Sequence, residues 1–139
     1  ALSPNGGEGG SLFDRVLVDA PCSGTGTWRR QPEQRWRLTP ERLAALQKTQ
    51  DSLLDDGARH AGPGGRLIYA TCSILPCENE DRIAAFLDRH PGFAIRPARD
   101  VWAESVDTAA PPGLGEFFRA TPLKDGMDGF FTAILERTA

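Results

Sequence analysis

The chain has 139 residues with a formal net charge of -3, is 40% hydrophobic and 25% charged, and so is expected to bury a core as one ordinary domain or a piece of a larger one. The slight acidic excess excludes nucleic-acid binding by bulk positive charge alone, and no apolar run approaches the length of a membrane span. Three cysteines are too few for a disulfide framework and point to a reducing, cytoplasmic setting.

Residues 1–12 are rich in glycine and polar groups and read as a loop. The run FDRVLV at 13–18 reads as a short strand buried on both faces, ended by Asp19, Ala20 and Pro21. CSGTG at 22–26 then forms a tight loop. Thr39 and Pro40 supply a hydroxyl N-cap and a proline at the first helical position. Leu43, Leu46, Gln50, Leu53 and Leu54 follow at spacings of three and four and share one helix face. The helix is expected to stop in the glycine-proline run 61–65, and a second strand to occupy 66–70, followed at once by Thr71, Cys72 and Ser73.

A second helix opens over 76–80 with acids in its first turn, buries Ile83, Phe86 and Leu87, and ends at His90-Pro91-Gly92. Residues 97–115 read as an irregular surface excursion. The segments 116–121 and 130–136 read as a closing hairpin around a loop with glycine at two turn positions. Strands alternating with helices predict an α/β fold with a parallel sheet, to which the hairpin adds an antiparallel strand. Ligands of such sheets sit beyond the carboxyl ends of the strands. Asp19 and Cys22 follow one such end and Cys72 the next, so neighbouring strands would put them in one crevice.

Each candidate has a plainer counterpart. A cysteine is often just a small buried hydrophobe. Cys22 and Cys72 stand out because each follows a strand and precedes a serine in a polar loop, a setting that favours a reactive thiolate. Cys77, beside acids at a helix start, reads as structural. Cys22, Cys72, Cys77, His60 and His90 lack the paired short spacings of a zinc site, so no metal is expected. His60 and His90 read as partners of helix C-termini. Gly24-Thr25-Gly26 lacks the rest of a phosphate loop and reads as a turn. Arg29, Arg30, Arg35, Arg37 and Arg42 form either a solvated charged face or an RNA-facing patch; Trp28 and Trp36 among them read as packing residues.

Three segments in order, DAPCSGTG at 19–26, YATCSILP at 69–76 with Glu78 and Asn79, and DGMDGFF at 125–131, resemble the RNA (cytosine-5) methyltransferase family of the Sun type. The resemblance extends over nearly the whole chain, loosely between 97 and 115. It implies the C-terminal half of a Rossmann-like sheet that binds S-adenosylmethionine, residues 1–139 being part of a catalytic domain: a lead-in at 1–12, a strand-helix-strand-helix core at 13–96, the excursion, and the hairpin at 116–139. It implies that Cys72 is the nucleophile toward cytosine C6 and that Cys22 helps release the adduct. It further implies that Asp19 contacts cofactor and base, and that Pro21, Arg29 and Arg30 join Asp19 on the RNA, ribosomal RNA being the expected substrate.

The family's glycine-rich cofactor loop does not occur in these residues, and the isolated chain is expected to be inactive. The strand at 13–18, from Phe13 to Val18, would then be an open sheet edge, and the fragment is expected to self-associate through it. The competing reading is a non-catalytic RNA-binding or scaffold domain that keeps the fold.

Overall fold

The computed structural model describes residues 10–139; the glycine-rich lead-in up to residue 9 lies outside the described residues. Strand β1 (Phe13–Asp19) is followed by two short 3-10 turns, Thr25–Thr27 and Pro32–Arg37. Helix α1 (Pro40–His60) then begins as its sequence directs: the Thr39 side chain accepts from the amide of Arg42 at 3.1 Å, and Pro40 occupies the first turn. The chain turns directly into β2 (Ala61–Thr71), passes a 3-10 turn at Pro76–Glu78, and forms α2 (Glu80–Arg89), β3 (Phe93–Ile95), α3 (Ala98–Ser105), β4 (Phe118–Ala120), α4 (Pro122–Asp125) and β5 (Phe130–Arg137).

β1 and β2 pair in parallel with Asp19 opposite Ala70. β5 runs antiparallel to β2, and its far edge is shared by β4, opposite Phe130 to Thr132, and by β3, opposite Leu135 to Arg137. Alternation sets the layers. Leu67, Tyr69 and Thr71 on β2 lie beside Leu135, Ala133 and Phe131 on β5, all buried on one face. Leu54 and Ala58 from α1 and Ile83 and Phe86 from α2 complete that core. On the other face Arg66 meets Glu104 of α3 at 3.0 Å and Glu136 of β5 at 3.6 Å. No helix among the described residues is long and apolar enough to cross a membrane.

Four expectations need correction. β1 is not buried on both faces: it is an edge strand, Leu17 is 66% exposed, and only Val18 along it is fully buried. β2 begins at Ala61 rather than 66, because the glycine run makes an irregularity in the ladder instead of ending it. Phe13 pairs with Ala61 and Arg15 with Arg66, and Gly64 takes a left-handed φ of 72°. The excursion at 97–115 holds a helix, α3, whose first amides, Ala98 and Arg99, donate to the carbonyls of Glu116 and Gly115. Trp36 is not a packing residue: it is 79% exposed, with the Arg35 guanidinium 5.2 Å from its ring centroid.

Candidate active site

Because β1 and β2 are parallel neighbours, the loops after Asp19 and Thr71 leave the sheet on the same side. Two backbone bonds keep these loops together: Ala20 N–H donates to Ala70 O and Gly26 N–H to Cys72 O, both at 2.9 Å. Within this frame the Sγ atoms of Cys22 and Cys72 stand 3.3 Å apart, both free thiols and both half-buried. Sulfurs that close share a proton. Either sulfur can be the donor by geometry; the Cys22 thiol is pushed far above the ordinary range by that bond and by burial, which favours its keeping the proton. Cys72 is lowered from 9.0 to about 7 by the same bond, against burial and the charges of Asp19 and Glu78.

Asp19 is exposed at the carboxyl end of β1, and its carboxylate makes no side-chain hydrogen bond among the described residues. Pro21 is exposed, and its carbonyl accepts from Gln50 Nε2 at 2.9 Å. Beside Cys22 a cleft of about 100 Å³ is lined by Ser23, Gln34, Arg37, Leu38 and Arg42. A larger cleft, about 390 Å³, runs along β4 and has neither thiol in its wall.

Behind the thiols lies a buried polar cluster whose roles the sequence alone did not reveal. Glu78 is fully buried. Its carboxylate accepts from the Ser23 amide at 2.8 Å, the Ser23 hydroxyl at 2.6 Å, Gln50 Nε2 at 3.2 Å and the Ser73 hydroxyl. Asn79, also buried, donates to Ser73 O at 2.9 Å and accepts from the Thr71 hydroxyl at 2.7 Å. Thr25 Oγ1 accepts from the Ile74 amide at 2.9 Å and lies 3.1 Å from Ser73 Oγ. One signal was available: Gln50 stands among leucines on the buried face of α1, where a polar residue needs a partner.

The third motif closes the site from the hairpin side. Arg30 Nε donates to both carboxylate oxygens of Asp128, at 2.8 and 3.0 Å, whereas Arg29 is exposed without a side-chain partner among the described residues. Cys77, His60 and His90 do not join the thiol pair. His90 Nε2 is 2.7 Å from Asp55 and its ring stacks on Phe86, and His60 ends α1. No group of three or more His, Cys, Asp or Glu among the described residues is placed to hold a metal ion.

Sheet and motifs together have the arrangement of the Rossmann-like methyltransferase fold, and comparison with known proteins shows the family. The chain belongs to the 16S rRNA methyltransferase RsmB/F family, whose model matches residues 3–136. It is 42% identical over 131 residues to ribosomal RNA small subunit methyltransferase B of Sodalis glossinidius, covering 94% of this chain and 28% of that protein. Over 128 residues it is 41% identical to the Vibrio cholerae protein of the same name, covering 92% and 26%. The chain thus spans about a quarter of the length of the curated relatives it matches.

Among solved structures, PH0851 superposes with a TM-score of 0.75 at 41% identity, over 89% of this chain and 26% of that one. NSun6 from Pyrococcus horikoshii, solved with SFG, superposes with a TM-score of 0.72 at 25% identity, over 93% and 31%. The resemblance carried by the three motifs is therefore borne out.

Proposed function

We propose that this chain carries the thiol chemistry of an S-adenosylmethionine-dependent RNA (cytosine-5) methyltransferase acting on ribosomal RNA in the cytoplasm. The observation that supports the reading most is the 3.3 Å pairing of Cys22 with Cys72 beside the carboxylate of Asp19. Cytosine C5 is a poor nucleophile. Attack of the Cys72 thiolate on C6 forms an S–C6 bond and pushes the ring π electrons toward C5, which becomes enamine-like; this is covalent catalysis that divides one hard step into easier ones. Asp19 accepts from the cytosine amino group and holds the ring edge-on. Release is a β-elimination: the C5 proton passes to a solvent water, the C5–H electron pair re-forms the C5=C6 bond, and the S–C6 pair returns to Cys72 as thiolate. The Cys22 thiol, 3.3 Å away, donates to that departing sulfur.

The cofactor's fit rests on Asp19, an unpaired exposed carboxylate at the strand end, where a positively charged sulfonium would be drawn. S-adenosylmethionine, when bound, supplies the methyl group for C5; the SFG held by NSun6 is an analogue of it. The RNA base must be unstacked or single-stranded to reach the thiols. On this reading Pro21 and the exposed Arg29 face the RNA, Arg29 on phosphate, and Arg30 joins it when its pair with Asp128 opens.

The test is trapping on RNA containing 5-fluorocytosine, with the full-length protein and cofactor. The native protein and Cys22→Ala should form a covalent RNA adduct, Cys22→Ala accumulating it on ordinary cytosine as well. Cys72→Ala should form none. An adduct in Cys72→Ala, or no adduct in any form, would favour the non-catalytic RNA-binding alternative or a different nucleophile.

A further inference from the structure

We propose that Glu78 is the positioning residue for this chemistry: its one buried carboxylate clamps the serines that follow both cysteines and so holds Cys22 and Cys72 at hydrogen-bonding separation. The inference rests on the reading of those cysteines as the reacting pair. A carboxylate has about four acceptor sites, and four donors reach Glu78 from three segments. Ser23 gives its amide and hydroxyl, Ser73 its hydroxyl, and Gln50 its amide nitrogen.

Proton counting fixes the directions. Ser73 has a single hydroxyl proton and gives it to Glu78. The 3.1 Å contact with Thr25 is therefore a donation from Thr25, and Ser73 Oγ also accepts from the Leu75 amide at 3.0 Å. The second proton of Gln50 Nε2 goes to Pro21 O, on the residue before Cys22, at 2.9 Å.

The carboxylate is itself held from beneath. Tyr69, fully buried in β2, donates its hydroxyl to the Glu78 carbonyl at 2.6 Å. Asn79 ties the next residue to Thr71 and Ser73. Glu78 itself is fully buried and does not line the cleft beside Cys22, so its carboxylate is not placed to touch RNA or cofactor. It acts through the serines: each cysteine immediately precedes a side chain bound to the same carboxylate. Glutamate is required over glutamine because every facing atom is a donor; an amide would turn its own N–H groups toward at least one of them.

The test uses the full-length protein and the variants Glu78→Gln, Ser23→Ala and Ser73→Ala, carrying forward those with a native near-ultraviolet spectrum. Two readouts are made. The first is the rate at which diamide oxidises Cys22 and Cys72 to a disulfide without RNA or cofactor, which reports the proximity and ionisation of the two sulfurs apart from methylation. The second is the split of kcat from KM with RNA. A misplaced sulfur should slow disulfide formation and reduce kcat, by up to about a hundredfold, with KM for RNA little changed. Native oxidation rates in the folded variants would overturn the proposal. So would a rise in KM with kcat intact, since that would put the cluster in RNA binding. Failure of the methylation reading shows separately, as absence of activity in the unsubstituted protein.

Discussion

Gly26 and Gly129 meet backbone to backbone: the Gly129 amide donates to the Gly26 carbonyl at 2.9 Å, joining the first cysteine loop to the hairpin. A β-carbon on Gly26 would lie 2.5 Å from Gly129 O and 2.6 Å from Cys72 O, and one on Gly129 would lie 2.7 Å from Gly26 Cα. These neighbours are backbone atoms that cannot step aside. Gly26→Ala should therefore destabilise the fold by about 1–3 kcal/mol and separate the thiol loops, as overpacking does. Urea denaturation checks the stability; a variant as stable as the native protein would show the contact to be loose.

Tyr69 offers a second test of the layer beneath the site. Its hydroxyl is buried and bonded to the Glu78 carbonyl at 2.6 Å. Tyr69→Phe leaves that acceptor unpaired and should cost about 1–3 kcal/mol in equilibrium unfolding. A change near zero would mean that water replaces the hydroxyl.

The arginines make a prediction about RNA rather than stability. Arg29 is unpaired among the described residues, while Arg30 is engaged by Asp128. Removing one arginine that neutralises a phosphate should flatten the slope of log affinity against log salt by about one, uniformly across sequences. Arg29→Ala should do so directly. Asp128→Asn should steepen the slope by freeing Arg30. Filter binding over a salt series measures both, and identical slopes in all forms would remove these arginines from the RNA-facing surface.

The β1 edge carries the prediction of self-association. Leu17 is 66% exposed on a strand whose second edge has no partner among the described residues. The isolated 139-residue chain should associate with rising concentration, and Leu17→Lys should suppress this, since a charge on an open edge blocks strand pairing. Light scattering from a strict monomer at high concentration would contradict it.

The parts of the fold set by local chemistry were legible in the sequence. Thr39 and Pro40 announced α1, and glycines at two turn positions announced the hairpin of β4 and β5. What was hidden depends on pairing. Gly62-Pro63-Gly64-Gly65 punctuates like a stop, but β1 alongside holds it in the sheet. An apolar run such as 13–18 looks buried on both faces whether or not a second neighbour lies beside it. Within the site, the strand-end positions of Cys22 and Cys72 could be read, and their adjacency follows from parallel pairing. Glu78 could not: an acid near a helix start reads as a dipole partner, and only the folded chain turns it inward under two serines.

The proposed chemistry depends on one proton lying between two sulfurs. Its most direct test is the pH dependence of iodoacetamide alkylation, followed at each cysteine by peptide mass spectrometry in the native protein. A lowered thiol ionises, and becomes reactive, as pH rises through its own value, and loses reactivity below it. Cys72 should be half-reactive at about pH 7, with Cys22 unreactive through that range, and Cys22→Ala should move the Cys72 midpoint upward toward 9.0. Two cysteines titrating alike near the ordinary thiol value, or Cys22 reacting first, would contradict the shared proton.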